Sequence, residues 1–152
     1  MIFKIFSQPE VEPLPHSNFW ILKEDYCFFV NEKPYWIPKG YVWDGASIPR
    51  IVWGIIGAPS EPDFLAASLI HDWIYLTHIF TRAEADEAIF QILKQSDVSL
   101  WRRRCIWAAV RTFGGIVGAW ATKSKDKAQI SQINANLELR NDKEKFGYPL
   151  AA

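Results

Sequence analysis

The chain has 152 residues, of which 49% are apolar and 22% are charged, a composition typical of one globular domain and unlike that of a disordered chain. Its 17 basic residues equal its 17 acidic residues, and this balance argues against nonspecific binding of nucleic acid. No run reaches the ~18 apolar residues of a membrane span, and the N-terminal residues lack the pattern of a signal peptide. We therefore expect no transmembrane helix and no secretory leader.

Residues 1–43 have the pattern of short strands separated by turns. Aromatic and β-branched runs alternate with turn-forming residues, and the runs lie at 2–6, 19–22, 26–30, 35–37 and 41–43. This spacing is typical of an antiparallel meander. Pro9, Pro13 and Pro15 predict a loop between the first two runs.

Residues 44–122 have the pattern of helices. Four helices are predicted: the first begins near Ser47, the second at Glu61 or Asp63, the third near Thr81 and the fourth near Leu100. Ser47 and Thr81 are N-cap residue types, and Glu84 completes the capping-box pattern of the third helix. The expected fold is therefore α+β, with an N-terminal antiparallel β-meander packed on a bundle of three to four helices.

Residues 123–152 are expected to form a C-terminal extension beyond a single domain that covers residues 1–122. After a charged break, Ile130, Ile133 and Leu137 recur at helical spacing. So weak an amphipathic stripe buries too little surface to hold the segment in place. We therefore predict an arm that a partner protein orders.

The second predicted helix carries the most informative polar residues. Its run over residues 64–76 is apolar except for Ser68, His71 and Asp72, and a helix that is apolar on all sides is buried. A buried histidine and a buried aspartate need partners. Asp86 lies on the apolar face of the next helix, and the short connector makes the two helices antiparallel neighbours. This arrangement brings Asp86 to His71.

These side chains have two interpretations. If Asp86 holds one imidazole nitrogen, the other nitrogen is a general base, and Tyr75 lies on the same helix face as the imidazole. Asp72 would then bind a hard cation such as Ca²⁺ together with backbone carbonyls, which Gly54 and Gly57 would allow to bend inward. The alternative is a structural network that only fixes the core.

The segment Asp-Gly-Ala-Ser-Ile-Pro-Arg at residues 44–50 is a second candidate site. Asp44 and Ser47 have side chains that satisfy backbone amides at a strand-to-helix corner. In the functional interpretation, Asp44 faces the cavity at His71, and Arg50 is its counter-ion or binds an anionic group.

The fourth predicted helix is aromatic and basic. Its candidate interaction residues are Trp101, Arg102, Trp107 and Trp120. Interleaved arginine and tryptophan side chains bind anionic lipid or nucleic acid, whereas a core helix with a basic rim has the same pattern.

Several motifs in register resemble domain-of-unknown-function family 1353. These motifs are Asp-Gly-Ala-Ser-Ile-Pro-Arg at 44–50, His-Asp-Trp-Ile-Tyr at 71–75, Arg82-x-x-x-Asp86 and Ala-Val-Arg-x-Phe-Gly at 109–114. The resemblance covers about residues 35–118. It implies a phage or prophage setting, often among virion or lysis genes, and no settled biochemistry.

The helix pair is also similar to phospholipase A2, especially the domain found in parvovirus capsids. The similar residues are Ala-Ala-Ser-Leu-Ile-His-Asp-Trp-Ile-Tyr at 66–75, followed by Ala-Asp at 85–86. This resemblance implies that His71 activates water, that Asp72 binds Ca²⁺, that Tyr75 braces the site and that Asp86 orients His71.

Two functions are therefore expected. The first is a virion or assembly component that docks on other phage structural proteins through its aromatic surface and residues 123–152. A lipid surface is a second candidate partner, and no specific nucleic acid is expected. The alternative is a Ca²⁺-dependent or otherwise metal-assisted esterase with a His71–Asp86 dyad and Asp72 as metal ligand. Either protein would act in the virion or the host cytoplasm. We rank docking first, because it alone accounts for the C-terminal segment.

Overall fold

A computed structural model describes residues 1–17, 19–43, 61–116 and 124–139 of the chain. Six short strands in the N-terminal part precede the helices, so the predicted α+β class is confirmed. The strands are β1 (Phe3–Lys4), β2 (Val11–Pro13), β3 (Trp20–Leu22), β4 (Tyr26–Val30), β5 (Lys33–Ile37) and β6 (Val42–Trp43).

The strands form two antiparallel sheets of three strands each. The order is β1-β4-β5 in the first sheet and β2-β3-β6 in the second. A tight turn at Asn31 and Glu32, both with positive φ, joins β4 to β5 as predicted. In contrast to a simple meander, β3 pairs with β6, and Trp20 lies opposite Trp43. The bend at residues 23–25 carries the chain from one sheet to the other.

β2 lies where the prolines predict a loop, so that part of the prediction is wrong. β2 is an edge strand of the second sheet and pairs with β3, with Val11 opposite Leu22. Pro13 ends the strand, and an edge strand tolerates proline because no ladder donor is needed there. β5 is an edge strand of the first sheet, so it also tolerates a proline. It begins before the predicted start at Tyr35 and includes Pro34.

The helices follow the two sheets. A 3-10 turn at Pro62–Phe64 leads into α1 (Leu65–Thr77), followed by α2 (Arg82–Gln95), α3 (Leu100–Ile116) and α4 (Ser124–Leu139). The predicted capping box of α2 is confirmed, because Glu84 N donates to Thr81 Oγ1 while Thr81 N donates to Glu84 Oε2. Its connector to α1 is short, and the two helices pack together as predicted.

Within the described residues, no helix combines the length and the apolar character that crossing a membrane requires.

Two glutamine side chains of α2 cover the outer edge of β1. Phe3 N donates to Gln91 Oε1 and Ile5 N donates to Gln95 Oε1, each at 2.9 Å. In return, Gln91 Nε2 donates to the Met1 carbonyl at 3.0 Å, and Gln95 Nε2 donates to the Phe3 carbonyl at 2.8 Å. These amides satisfy the backbone groups that another strand would otherwise bind. We call Gln91 and Gln95 the glutamine clamp.

α1 lies at the centre of the hydrophobic core. Ile70, Trp73 and Ile74 have no exposed surface, and the Tyr41 and Trp73 rings pack edge to face with centroids 5.1 Å apart. α1 is therefore buried on all sides, as its sequence predicts, and it carries His71 into the core.

α4 packs on the domain itself. Gln129 Nε2 donates to the Val42 carbonyl at 2.9 Å, and Ile133 is buried with the core residues. No partner is needed to explain the position of the described part of the C-terminal segment. The predicted boundary at residue 122 and the predicted partner of residues 123–152 stay predictions.

Candidate functional site

The site forms around Asp86, a carboxylate with no exposed surface. It lies on the buried face of α2, which also carries Ile89 and Leu93. Asp86 Oδ1 lies 3.2 Å from His71 Nε2 and accepts a hydrogen bond from the Tyr75 hydroxyl at 2.9 Å. The expected contact between Asp86 and His71 is therefore present.

His71 lies between two carboxylates. Its Nδ1 atom is 3.5 Å from Asp72 Oδ1, and its Nε2 atom faces Asp86. The Asp72 side chain is 15% exposed whereas the Asp86 side chain is 0% exposed, so Nδ1 faces the more accessible side. When the neutral ring donates from Nε2 to Asp86, Nδ1 is its unprotonated nitrogen.

The two carboxylates control the protonation of the imidazole. Burial alone would lower the pKa of His71, but its hydrogen bonds with Asp72 and Asp86 and the charges of both raise the pKa above the ordinary 6.5. For Asp86, burial acts to raise the pKa. Hydrogen bonds from His71, Tyr75 and Arg111 and the charge of His71 hold it below the ordinary 3.8. The two groups therefore stabilise each other as an imidazolium–carboxylate pair.

Two arginines that the sequence analysis did not assign to the site complete it. In α3, Arg111 Nη1 donates to Asp86 Oδ2 at 3.2 Å, and Arg82 Nε lies 3.9 Å from the same oxygen. Arg82 Nη2 also donates to the Arg111 carbonyl. Both arginines had a signal in the sequence, because Arg82 lies one helical turn before Asp86 and Arg111 interrupts an apolar run.

Tyr75 connects the imidazole to the arginines. Its hydroxyl accepts from Arg82 Nε at 3.3 Å while it donates to Asp86, and its ring centroid lies 4.2 Å from that of His71. Burial raises the pKa of Tyr75 to about 12, so the hydroxyl stays a donor at neutral pH. Tyr75 thus contacts both Asp86 and Arg82, and the bracing role that the resemblance to phospholipase A2 implies stays a prediction.

Asp72 is the described member of the predicted metal site. Across the described ranges, no cluster of three or more His, Cys, Asp or Glu residues is placed to hold a metal ion. Since Ca²⁺ takes about six to eight oxygen ligands, the described residues alone do not make a calcium site. The remaining predicted site residues lie outside the described residues: Gly54, Gly57, Asp44, Ser47, Arg50 and Trp120.

The predicted interaction residues of α3 differ in their surroundings. Trp101 and Trp107 are 54% and 37% exposed. Arg102 instead binds within the chain, because its Nη2 atom donates to Glu61 Oε2 at 2.9 Å and its guanidinium lies 5.0 Å from the centre of the Phe64 ring. The tryptophans are therefore available for contact, whereas Arg102 anchors α3 to the 3-10 turn.

The fold and the site define an α+β domain with a buried histidine–aspartate centre on a helical hairpin. A family model described as "Protein of unknown function (DUF1353)" matches residues 20–110. The chain therefore belongs to this family, and the resemblance stated from the motifs is confirmed. The match includes His71, Asp86 and the part of α3 before Arg111. The phage setting stays a prediction.

Similar curated proteins include two from Sinorhizobium fredii (strain NBRC 101917 / NGR234). The "Uncharacterized protein y4jT" is 34% identical over 94 residues, which is 61% of this chain and 28% of that protein. The "Uncharacterized protein y4iH" is 28% identical over 95 residues, which is 62% of this chain and 40% of that protein. The chain thus spans less than half the length of these relatives. No solved structure matches it.

Proposed function

We propose that this protein hydrolyses ester bonds and that His71 is the base that activates water. The arrangement at the imidazole carries the proposal. Asp86, braced by Tyr75, holds Nε2 from the buried side, while Nδ1 faces the partly exposed Asp72. A carboxylate that fixes one nitrogen of a histidine leaves the other for proton transfer. The resemblance of the helix pair to phospholipase A2 supplies the reaction class.

The reaction begins with neutral His71 donating from Nε2 to Asp86. A water at Nδ1 gives one proton to this nitrogen while its oxygen bonds to the carbonyl carbon of the ester. As the tetrahedral intermediate collapses, the ester C–O bond breaks, and the imidazolium returns the proton to the leaving alkoxide. Acid and alcohol leave, and His71 is neutral again. Asp86 stays ionised throughout, and its lowered pKa suits it to stabilise the imidazolium.

The raised pKa of His71 sets the pH dependence of this reaction. The base is the neutral imidazole, so the rate rises with pH as the imidazolium deprotonates. Asp72 is one cause of the raised pKa, and Asp72→Asn is therefore expected to shift the rising limb of the rate profile to lower pH. The proposed steps do not involve a cation. The assay therefore compares the rate of hydrolysis with added Ca²⁺ and with EDTA.

The test measures ester hydrolysis by the full chain on p-nitrophenyl esters and on phospholipid, with added Ca²⁺ and with EDTA. General-base catalysis contributes a factor of about 100 or more, so His71→Asn is expected to lose at least that factor in kcat. The matched control is His78→Asn, which replaces an exposed histidine just beyond α1 whose φ of 52° asparagine tolerates. Circular dichroism melting confirms that both variants fold.

The outcome separates catalysis from a structural network. A folded His71→Asn variant that retains the wild-type rate overturns the proposal, as does a wild-type chain that hydrolyses none of these esters under either condition. A wild-type rate that does not rise with pH above 6.5 also contradicts it.

The docking role predicted from the sequence is a second proposal. Its main support is a C-terminal segment too poor in apolar residues to order alone, and this support weakens because α4 packs on the domain through Gln129 and Ile133. The exposed Trp101 and Trp107 favour a contact surface. A chain that purifies as a monomer, with residues 123–152 cleaved readily by trypsin and absent from particles, would contradict docking on subunits.

A further inference from the structure

Helix α3 concentrates positive charge in a chain whose net charge is zero. Residues 100–116 include four arginines and no aspartate or glutamate. Arg102 is paired with Glu61 and lies beside the 3-10 turn. Arg104 and Arg111 lie on the exposed side of the helix. The surface of α3 is therefore locally basic.

The exposed side of α3 is also apolar. Leu100 and Trp101 are 46% and 54% exposed, and Trp107 is 37% exposed. The opposite side of the helix, which includes Ile106 and Val110, is buried in the core. We call the exposed side the tryptophan–arginine face, and it consists of Leu100, Trp101, Arg104, Trp107 and Arg111.

The order of side chains around this face is specific. With 3.6 residues in each helical turn, the two arginines and Leu100 project within about 40° of one another. Trp101 and Trp107 flank this basic centre, one on either side. Two indole rings thus border two arginine side chains on the exposed side of α3, and one of these arginines, Arg111, also pairs with Asp86.

We propose that the tryptophan–arginine face docks on a bilayer of anionic phospholipid. Tryptophan is the side chain enriched at the level of lipid headgroups, and arginine pairs with phosphate through two hydrogen bonds. Anionic leaflets attract exposed arginines, and exposed leucine and tryptophan gain by entering the boundary between headgroups and acyl chains. A nucleic acid would use the arginines but gives no role to the exposed Leu100.

The face is continuous with the candidate site. Arg111 belongs to the face, its side chain is 47% exposed, and its Nη1 atom donates to Asp86 Oδ2 at 3.2 Å. Asp86 in turn holds His71. Docking therefore brings the Arg111 edge of the histidine–aspartate centre close to the headgroups.

The test measures binding of the full chain to vesicles of phosphatidylglycerol mixed with phosphatidylcholine, and to vesicles of phosphatidylcholine alone. Co-sedimentation gives the partition coefficient, and a blue shift of tryptophan emission reports insertion of the indoles. We expect binding to the anionic vesicles and little binding to the neutral ones. Arg104→Gln is expected to weaken partitioning about fivefold, and the double variant Trp101→Ala/Trp107→Ala about tenfold.

Two control variants lie away from the face. Phe6→Ala removes an aromatic ring that is 82% exposed, and Lys39→Gln removes an exposed cation. Both are expected to bind as the wild type does. His71→Asn is also expected to bind normally, because docking does not require catalysis.

Three results would overturn the docking inference: no binding to anionic vesicles, an equal loss of binding in the controls, or tighter binding of a short DNA duplex through Arg104. Failure of the hydrolase proposal is seen separately. If the chain binds vesicles but hydrolyses no ester, only the hydrolase proposal is refuted. If the chain hydrolyses a soluble ester but does not bind vesicles, only the docking inference is refuted.

Discussion

Replacement of Asp86 by asparagine is the sharpest test of the buried network, because it keeps the shape of the side chain and removes its charge. All groups around Asp86 are donors. Oδ1 faces His71 Nε2 and the Tyr75 hydroxyl, and Oδ2 accepts from Arg111. An asparagine whose NH₂ group faces Arg111 sets donor against donor, whereas one whose NH₂ group faces His71 and Tyr75 obliges these side chains to accept and removes their donations to a charged group.

The magnitude follows from the burial of the groups involved. Removal of one partner from a buried ion pair costs about 3–5 kcal/mol. The lower end applies here, because the Arg111 side chain is 47% exposed and turns to water once its partner is lost. His71 also avoids an uncompensated charge, because its imidazolium releases a proton and becomes neutral. We therefore expect Asp86→Asn to lower the free energy of unfolding by about 3 kcal/mol.

Urea denaturation followed by tryptophan fluorescence at pH 6 measures this change. The matched control is Glu87→Gln, the next residue of α2, which is exposed and accepts a hydrogen bond from Gln91 Nε2 at 3.1 Å. Its effect is expected to stay within about 0.5 kcal/mol. If Asp86→Asn destabilises the protein no more than Glu87→Gln does, the network does not hold the helical hairpin together, and the reasoning is wrong.

Three further predictions follow from the same contacts. Tyr75→Phe loses the donor to Asp86 and the acceptor for Arg82, so urea denaturation is expected to show a loss of about 1–2 kcal/mol; unchanged stability would exclude the brace. The raised pKa of His71 means that its imidazolium contributes stability fully below pH 6.5, which is lost as pH rises through the folded pKa. The lowered pKa of Asp86 means that its contribution is present above pH 3.8 and lost as pH falls through the folded pKa. The free energy of unfolding is therefore expected to be highest between pH 3.8 and pH 6.5. His71→Asn is expected to remove the decrease of this free energy at higher pH; if the variant shows the same decrease, another group causes it. Gln95→Ala removes the acceptor of Ile5 N, so the exchange of this amide is expected to accelerate about fivefold, whereas the exposed control Lys94→Ala leaves it unchanged.

The contact between His71 and Asp86 was predictable from the sequence because it depends on local pattern. A buried acid on an apolar face, a neighbouring helix with a buried histidine and a short connector leave few other arrangements. The capping box at Thr81 and Glu84 was predictable for the same reason. Each of these features involves only one or two helices, and within a helix the periodicity shows on which face a side chain lies.

Other features depend on contacts that periodicity does not specify. Arg111 lies 25 residues from Asp86, on a third helix whose approach to the hairpin is set by packing. The pairing of β3 with β6 instead of β4 is another such feature, because a strand pattern predicts a strand and not its partner. The glutamine clamp had no signal at all, since Gln91 and Gln95 follow no apolar or turn pattern.

The sequence separations of these contacts imply an order of folding. His71 and Asp86 are 15 residues apart, so the contact that defines the site closes a short loop with little loss of chain entropy. The glutamine clamp joins residues 88 and 90 positions apart, and it forms only after β1 has found α2. We expect the helical hairpin to be structured in the folding transition state and the N-terminal strand to attach afterwards. The helical hairpin that carries the candidate site is then also the folding nucleus of the domain, so substitutions there slow folding, whereas substitutions in the clamp mainly speed unfolding.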